Sequence, residues 1–137
     1  MSEIPSQHLQ RIMFYPPVEE EYGFSAIARV GKALYLSGVI GHDAGAMHAD
    51  PERQYELVYR NLAEILATQG ATLDDVVLER VYQTSEMEAL DPAVRRRLRG
   101  EAFGSTFPAA TWIAVEKIGV PGAMIEVEVM AVLPERD

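Results

Sequence analysis

From Met124 to Leu133 the chain alternates. Ile125, Val127, Val129, Ala131 and Leu133 point one way, and Met124, Glu126, Glu128, Met130 and Val132 the other, the period of two expected of a strand. Just before it, Ala109, Thr111, Ile113 and Val115 alternate with Ala110, Trp112, Ala114 and Glu116. This predicts a second strand, with Gly119, Pro121 and Gly122 in the connection. The two runs read as a hairpin, or as neighbouring strands joined by a loose turn. Towards the N-terminus, alternation over residues 6–15 predicts a strand ended by Pro16-Pro17, followed by an acidic turn at Glu19-Glu20-Glu21. Residues 26–30 and 33–37 predict two strands joined through Gly31-Lys32 as a hairpin, and residues 41–49 a loop rich in glycine, histidine and aspartate.

The period then changes. Asp50-Pro51-Glu52 offers an N-cap acceptor, a proline at the first helical position and an acid in the first turn. Tyr55, Val58, Tyr59, Leu62, Ile65 and Leu66 recur at three and four as one apolar stripe, with Gly70 at its end. After a brief turn at Leu73-Asp74-Asp75, residues 76–84 predict a strand. Asp91-Pro92 repeats the helix-start signal, with Val94, Leu98 and Ala102 on one side and Phe103-Gly104 closing the helix. The order is three strands, helix, strand, helix, two strands. An α+β domain follows, with a mixed six-stranded sheet and two helices packed on one face, so that both apolar stripes are buried.

Length and composition narrow the function. A chain of 137 residues is one domain, spanning 1–137, and its 48% hydrophobic and 24% charged content suit a folded protein. A formal net charge of −9 works against binding nucleic acid. The one basic run, Arg95, Arg96, Arg97 and Arg99, reads as a solvated helix face before it reads as an anion or partner patch. The absence of cysteine removes disulfides, a thiol nucleophile and thiolate metal ligands. No apolar run approaches the ~20 residues of a membrane span and no signal pattern opens the chain, so no membrane partner is expected and the cytoplasm is the default. His42, Asp43, His48 and Asp50 share a loop but fit no compact metal-ligand spacing. No phosphate loop or dinucleotide glycine fingerprint occurs. Few surface aromatics are in view to serve an RNA-binding role.

Leu34-Tyr35-Leu36-Ser37-Gly38, the segment Gly70-Ala71-x-Leu73-Asp74-Asp75-Val76-Val77, Tyr82 with Thr84, Phe107-Pro108-Ala109, and Gly122-Ala123-x-Ile125-Glu126-Val127-Glu128 occur in this order. Together they resemble the RidA family, also called YjgF/UK114, from about Phe24 to Leu133. The resemblance implies a chorismate-mutase-like fold, a homotrimer whose sheets enclose a central β-barrel, and small-molecule pockets in the intersubunit clefts. Its best-studied members hydrolyse enamines and imines to a 2-oxo acid and ammonia, as deaminases that need no cofactor or metal.

The resemblance also assigns positions. The arginine that binds a substrate carboxylate in the family falls at Ala110, so the planar fork suited to that task is missing. The family's pocket tyrosine aligns with Phe24 and its glutamine with Val39. Ser37 and Gly38 would contribute backbone and a close approach to ligand. Trp112 lies two residues beyond Ala110, on the same strand face, with Thr111 between them. With a one-residue insertion near Val120, the family's glutamate maps to Glu126. These ligand-binding candidates (Phe24, Ser37, Gly38, Val39, Ala110, Thr111 and Trp112) describe a pocket more apolar than that of an imine deaminase, suited to an aromatic or uncharged ligand. Glu126 is the catalytic candidate: a carboxyl beside Trp112 in an apolar cleft would favour its neutral form and hold a proton to donate or orient a water. The plainer alternatives are a backbone-bonding or charge-balancing role for Glu126 and interface packing for Trp112.

Two functions are therefore expected from different classes. One is a RidA-like small-molecule enzyme carrying out deamination, hydrolysis or tautomerisation on a ligand not anchored by a carboxylate–arginine pair. The other is a non-catalytic small-molecule-binding or regulatory trimer of the same fold.

Overall fold

The computed structural model describes residues 8–135; Ser6 and Gln7 of the first expected strand lie outside them. Strand β1 (Leu9–Ile12) leads into helix α1 (Pro16–Tyr22), where an acidic turn was expected. Pro16 and Pro17 stop the strand but also preset the first helical turn. The buried Glu19 carboxylate accepts from the backbone N–H groups of Phe14 and Tyr15, and Gly23, at φ 78°, ends the helix.

Strands β2 (Ile27–Val30) and β3 (Ala33–Leu36) form the expected hairpin. Short β4 (Val39–Ile40) follows, and then β5 (His42–Asp43) and β6 (Ala46–Met47), a two-stranded ribbon within the region expected to be loop. Helix α2 (Pro51–Ala67) starts as its sequence predicts, the Asp50 carboxylate accepting from Glu52 N–H at 3.1 Å. Every residue of its apolar stripe is buried. A 3₁₀ turn (Leu73–Asp75), closed by a Thr72–Asp75 capping box, leads into β7 (Val76–Gln83). Short α3 (Ser85–Glu88), α4 (Pro92–Phe103), β8 (Ala109–Ala114) and β9 (Ile125–Val132) complete the chain, and the Asp91 carboxylate accepts from Ala93 N–H at 2.8 Å to open α4.

The main sheet runs β1-β2-β3-β9-β7-β8, with β4 also paired to β9, making seven strands rather than six. The β7–β8 pair is parallel and the others antiparallel, so the sheet is mixed as expected. However, β8 and β9 do not touch as hairpin or neighbours; β7 lies between them. The long connection between them allows this, because a parallel partner needs a crossover, and α4 supplies it between β7 and β8.

Register then fixes which residues share a face. Val81, Val127, Ile125 and Leu34 point to α2 and α4 and are fully buried. The opposite face carries Tyr35, Met130, Glu128, Glu126, Arg80, Tyr82 and Thr111. Gln54, fully buried in α2, knits the parts together. It donates to the His48 and Gly122 carbonyls at 2.6 and 2.9 Å and accepts from Met124 N–H at 2.8 Å. This fixes the entry of β9.

Candidate functional site

On the helix-free face, β4 brings Gly38 against Glu126. A Cβ at Gly38 would overlap the Glu126 carboxylate, so only glycine permits this approach. Ser37, beside it, donates its hydroxyl to the Ser25 carbonyl at 2.7 Å and its N–H to Ala26 at 2.9 Å. That hydroxyl is engaged with backbone. Phe24, the residue before Ser25, is 40% exposed. Ser37, Gly38 and Glu126 therefore form one neighbourhood, and Phe24 precedes the Ser25 that Ser37 bonds. Val39 does not join it: paired with Val127, it lies in the hydrophobic core.

The Glu126 carboxyl is pushed above the usual carboxylate range by burial and then by the neighbouring Glu128. Glu128 in turn accepts from Tyr82 OH at 2.8 Å and from Arg80 at 3.2 Å. The hydrogen bond to Glu128, followed by burial, raises the Tyr82 pKa. Sequence reasoning missed this Arg80–Tyr82–Glu128 cluster. Its signal was available, since Arg80 and Tyr82 occupy the polar alternation of the same predicted strand.

Trp112 is elsewhere. Ala110 and Trp112 pair with Glu79 and Val81 and face the helices, whereas Glu126 pairs with Tyr82 and faces away. Within one chain the expected juxtaposition of Glu126 and Trp112 does not occur, because they lie on opposite faces of the sheet. Thr111 shares the Glu126 face, beside Arg80.

Around Ala110 and Trp112 the arginine run shows that it is not simply a solvated face. Arg99 is buried, pairs with the fully buried Glu79, and donates to Tyr59 OH at 3.0 Å. Tyr59 OH donates to the second Glu79 oxygen at 3.0 Å. Burial alone would weaken the charge of Arg99, but Tyr59 and Glu79 outweigh it and its pKa rises. Burial likewise raises Tyr59, which remains a neutral donor. The Arg99 guanidinium lies 5.0 Å from the Trp112 ring centre and 5.2 Å from that of Phe103. Arg96, Arg99, Phe107, Pro108, Ala110 and Trp112 bound an open concavity of about 280 Å³. A charged residue in the core register of β7 was the sequence signal for this network: Glu79 interrupts an otherwise apolar face.

The His42–Asp50 segment is used structurally. Asp43 pairs with Arg60 at 3.3 Å, His42 Nδ1 accepts from Gly45 N–H at 3.2 Å, and Asp50 caps α2. Aromatic side chains are more exposed than the sequence suggested, including Tyr15, Tyr22, Tyr35 and Trp112. No helix among the described residues is long and apolar enough to cross a membrane.

Comparison with known proteins agrees with the fold. The chain is 29% identical over 117 residues to the RutC family protein YjgH of Escherichia coli, covering 85% of this chain and 87% of that protein. It is 27% identical over 128 residues to a 2-iminobutanoate/2-iminopropanoate deaminase of Dermatophagoides farinae, covering 90% and 97% respectively. Among solved structures, Rv2704 of Mycobacterium tuberculosis, described as a member of the YjgF/YER057c/UK114 family, superposes with a TM-score of 0.76 at 25% identity, covering 91% of this chain and 99% of that one. The profile of the family described as endoribonuclease L-PSP matches residues 16–133. With residues 16–133 so matched, the chain belongs to the RidA (YjgF/YER057c/UK114) family.

Proposed function

We propose that this protein is a RidA-like enzyme that acts on small enamines or imines in clefts between the subunits of a homotrimer, with Glu126 as proton donor or water-orienting group. The observation that carries this reading is the Glu126 carboxyl, seated against Gly38, its pKa raised first by burial and then by the neighbouring Glu128. Protonating the leaving nitrogen, or holding the water that attacks the imine carbon, needs such a group. The relative named as a 2-iminobutanoate/2-iminopropanoate deaminase supports imines as the substrate class. Because Glu126 and Trp112 occupy opposite sheet faces, a cleft that uses both draws Glu126 from one subunit and the Ala110–Trp112 surface from its neighbour. Strand β8 itself provides no carboxylate anchor, since Ala110 has no charge. The net charge of −9 argues against a polyanionic substrate such as RNA.

The test is ammonia release from a panel of imines generated in situ by an amino-acid oxidase, comparing wild type with Glu126→Gln. Loss of turnover by about 10²-fold or more is expected from removing a positioned proton carrier. The wild-type rate should also fall as pH rises through the raised Glu126 pKa, because deprotonation removes the donor. Undiminished turnover in Glu126→Gln rejects the assignment. A wild-type protein inert to the whole panel makes it a binding trimer instead.

A further inference from the structure

Strand parity puts Glu126 and Glu128 on one face of β9, about 7 Å apart along the strand at ~3.4 Å per residue. Two carboxylates this close repel, so the one with weaker partners holds its proton longer. The pairing of β9 with β7 decides which one that is. Register sets Arg80 opposite Glu128 and Tyr82 opposite Glu126, yet both side chains turn to a single acceptor. Glu128 Oε1 takes an N–H from Arg80 at 3.2 Å and the hydroxyl proton of Tyr82, its diagonal neighbour, at 2.8 Å. Glu126 has no hydrogen bond and no ion pair of its own among the described residues.

The lateral neighbours of Glu126 offer it nothing charged. Strand β4 sets Ile40 opposite it, and beyond Tyr82 the next residue in the row is Ile113 of β8. The titratable groups that share its face are Glu128 on its own strand and Arg80 and Tyr82 on β7; β4 and β8 contribute none. The phenol has one proton and spends it on Glu128. Stability is a poor explanation for this cluster. The Arg80 side chain is 52% exposed and that of Glu128 32%, and an ion pair so open to water contributes little to holding a fold together. What the arrangement does achieve is to treat two chemically identical neighbours differently, the usual way in which one carboxyl becomes an acid and the other a fixed anion.

We infer that Glu128 is a positioning residue of the proposed reaction: anchored as an anion by Arg80 and Tyr82, it keeps the proton on Glu126 by its charge, acting through Glu126 rather than on the substrate. The inference rests on the proposed role of Glu126 as the proton-bearing group and adds which neighbours fit it for that role. Burial is the larger influence on Glu126 and the Glu128 charge the second, so removing that charge should displace the Glu126 titration without returning it to that of an exposed glutamate.

Glu128→Gln is the test, because the amide oxygen still accepts from Arg80 and Tyr82 while the charge is gone. Glutamate labelled with carbon-13 at the side-chain carboxyl is followed by NMR through a pH titration of the full-length protein, with Glu126→Gln identifying the Glu126 signal. In Glu128→Gln the Glu126 midpoint should move down by about half a pH unit or more, the effect of one charge at ~7 Å in a half-solvated setting. Arg80→Gln removes the opposing cation and should move the midpoint up. Ammonia release from the imine panel should follow, its alkaline fall beginning at lower pH in Glu128→Gln and at higher pH in Arg80→Gln. A merely structural cluster would not give shifts of opposite sign. An unchanged Glu126 midpoint in Glu128→Gln, or shifts in the same direction in both variants, would overturn the inference. The NMR titration needs no turnover, which separates the two readings. Midpoints that move as expected, with undiminished turnover in Glu126→Gln, reject the proposed reaction and leave the control of the Glu126 proton by Glu128 standing. Loss of turnover in Glu126→Gln with an unmoved midpoint in Glu128→Gln rejects the role of Glu128 and leaves the reaction standing.

Discussion

At Gly38 the backbone needs no left-handed conformation, so the case for glycine rests on space alone: the Glu126 side chain occupies the volume a Cβ would take. Gly38→Ala should therefore fold normally, at a cost of about 0.5 kcal/mol, because the colliding atoms belong to a side chain that can swing away. The carboxyl would move with it. We expect kcat/KM to fall at least tenfold while the thermal midpoint stays close to wild type, measured by imine turnover and by circular dichroism; unchanged turnover would show that Glu126 need not sit against Gly38. Both residues were legible in the sequence through the Ser-Gly and Glu-x-Glu motifs, whereas their contact was not. It depends on β4 pairing with β9 across a separation of more than eighty residues. The same limit applied to Trp112. Strand parity showed that it shares a face with Ala110, but only the pairing through β7 reveals that Glu126 faces the other way.

Elements whose signals are local were readable. The Asp-Pro starts of α2 and α4 and the stripe of α2 stand where the sequence put them. Helix α1 was not readable, because a proline pair ends a strand and begins a helix with equal ease, and the contact that decides is Glu19 folding back onto Phe14 and Tyr15. The position of α4 depends on another long-range contact, the Arg99–Glu79–Tyr59 network linking it to β7 and α2. Glu79 is fully buried and Arg99 nearly so. Glu79→Gln leaves the guanidinium buried without a counter-charge, and we expect a loss of about 3–5 kcal/mol by denaturant unfolding. The double variant Glu79→Met, Arg99→Met removes both charges and should recover most of it. If Glu79→Gln costs less than about 1 kcal/mol, the pair does not hold α4 in place. The same helix carries Arg96 to the edge of the Trp112 concavity.

The whole molecule is lopsided. Both long helices cover one side of the sheet, while the other side is divided into two zones. Towards β1, β2 and β3 it is open and mostly apolar, with Val30 and Tyr35 each 47% exposed and Leu9 and Val132 each 41%, and Arg11 the charged residue on its outer strand. Towards β7 it carries Arg80, Tyr82, Glu126 and Glu128. The proposed trimer would bury this surface and set the charged zone at the margin, where a neighbour's Trp112 surface would complete the cleft. Tyr35→Glu places a charge in the middle of the apolar zone, opposite Met130, where burial without a partner costs several kcal/mol. In sedimentation equilibrium the wild type is expected at three times the 15.2 kDa chain mass and the variant at one. If turnover requires two subunits, the variant should lose it in parallel. A fully active monomer would show instead that Glu126 works without any neighbouring surface, and the division of the site between subunits would be abandoned.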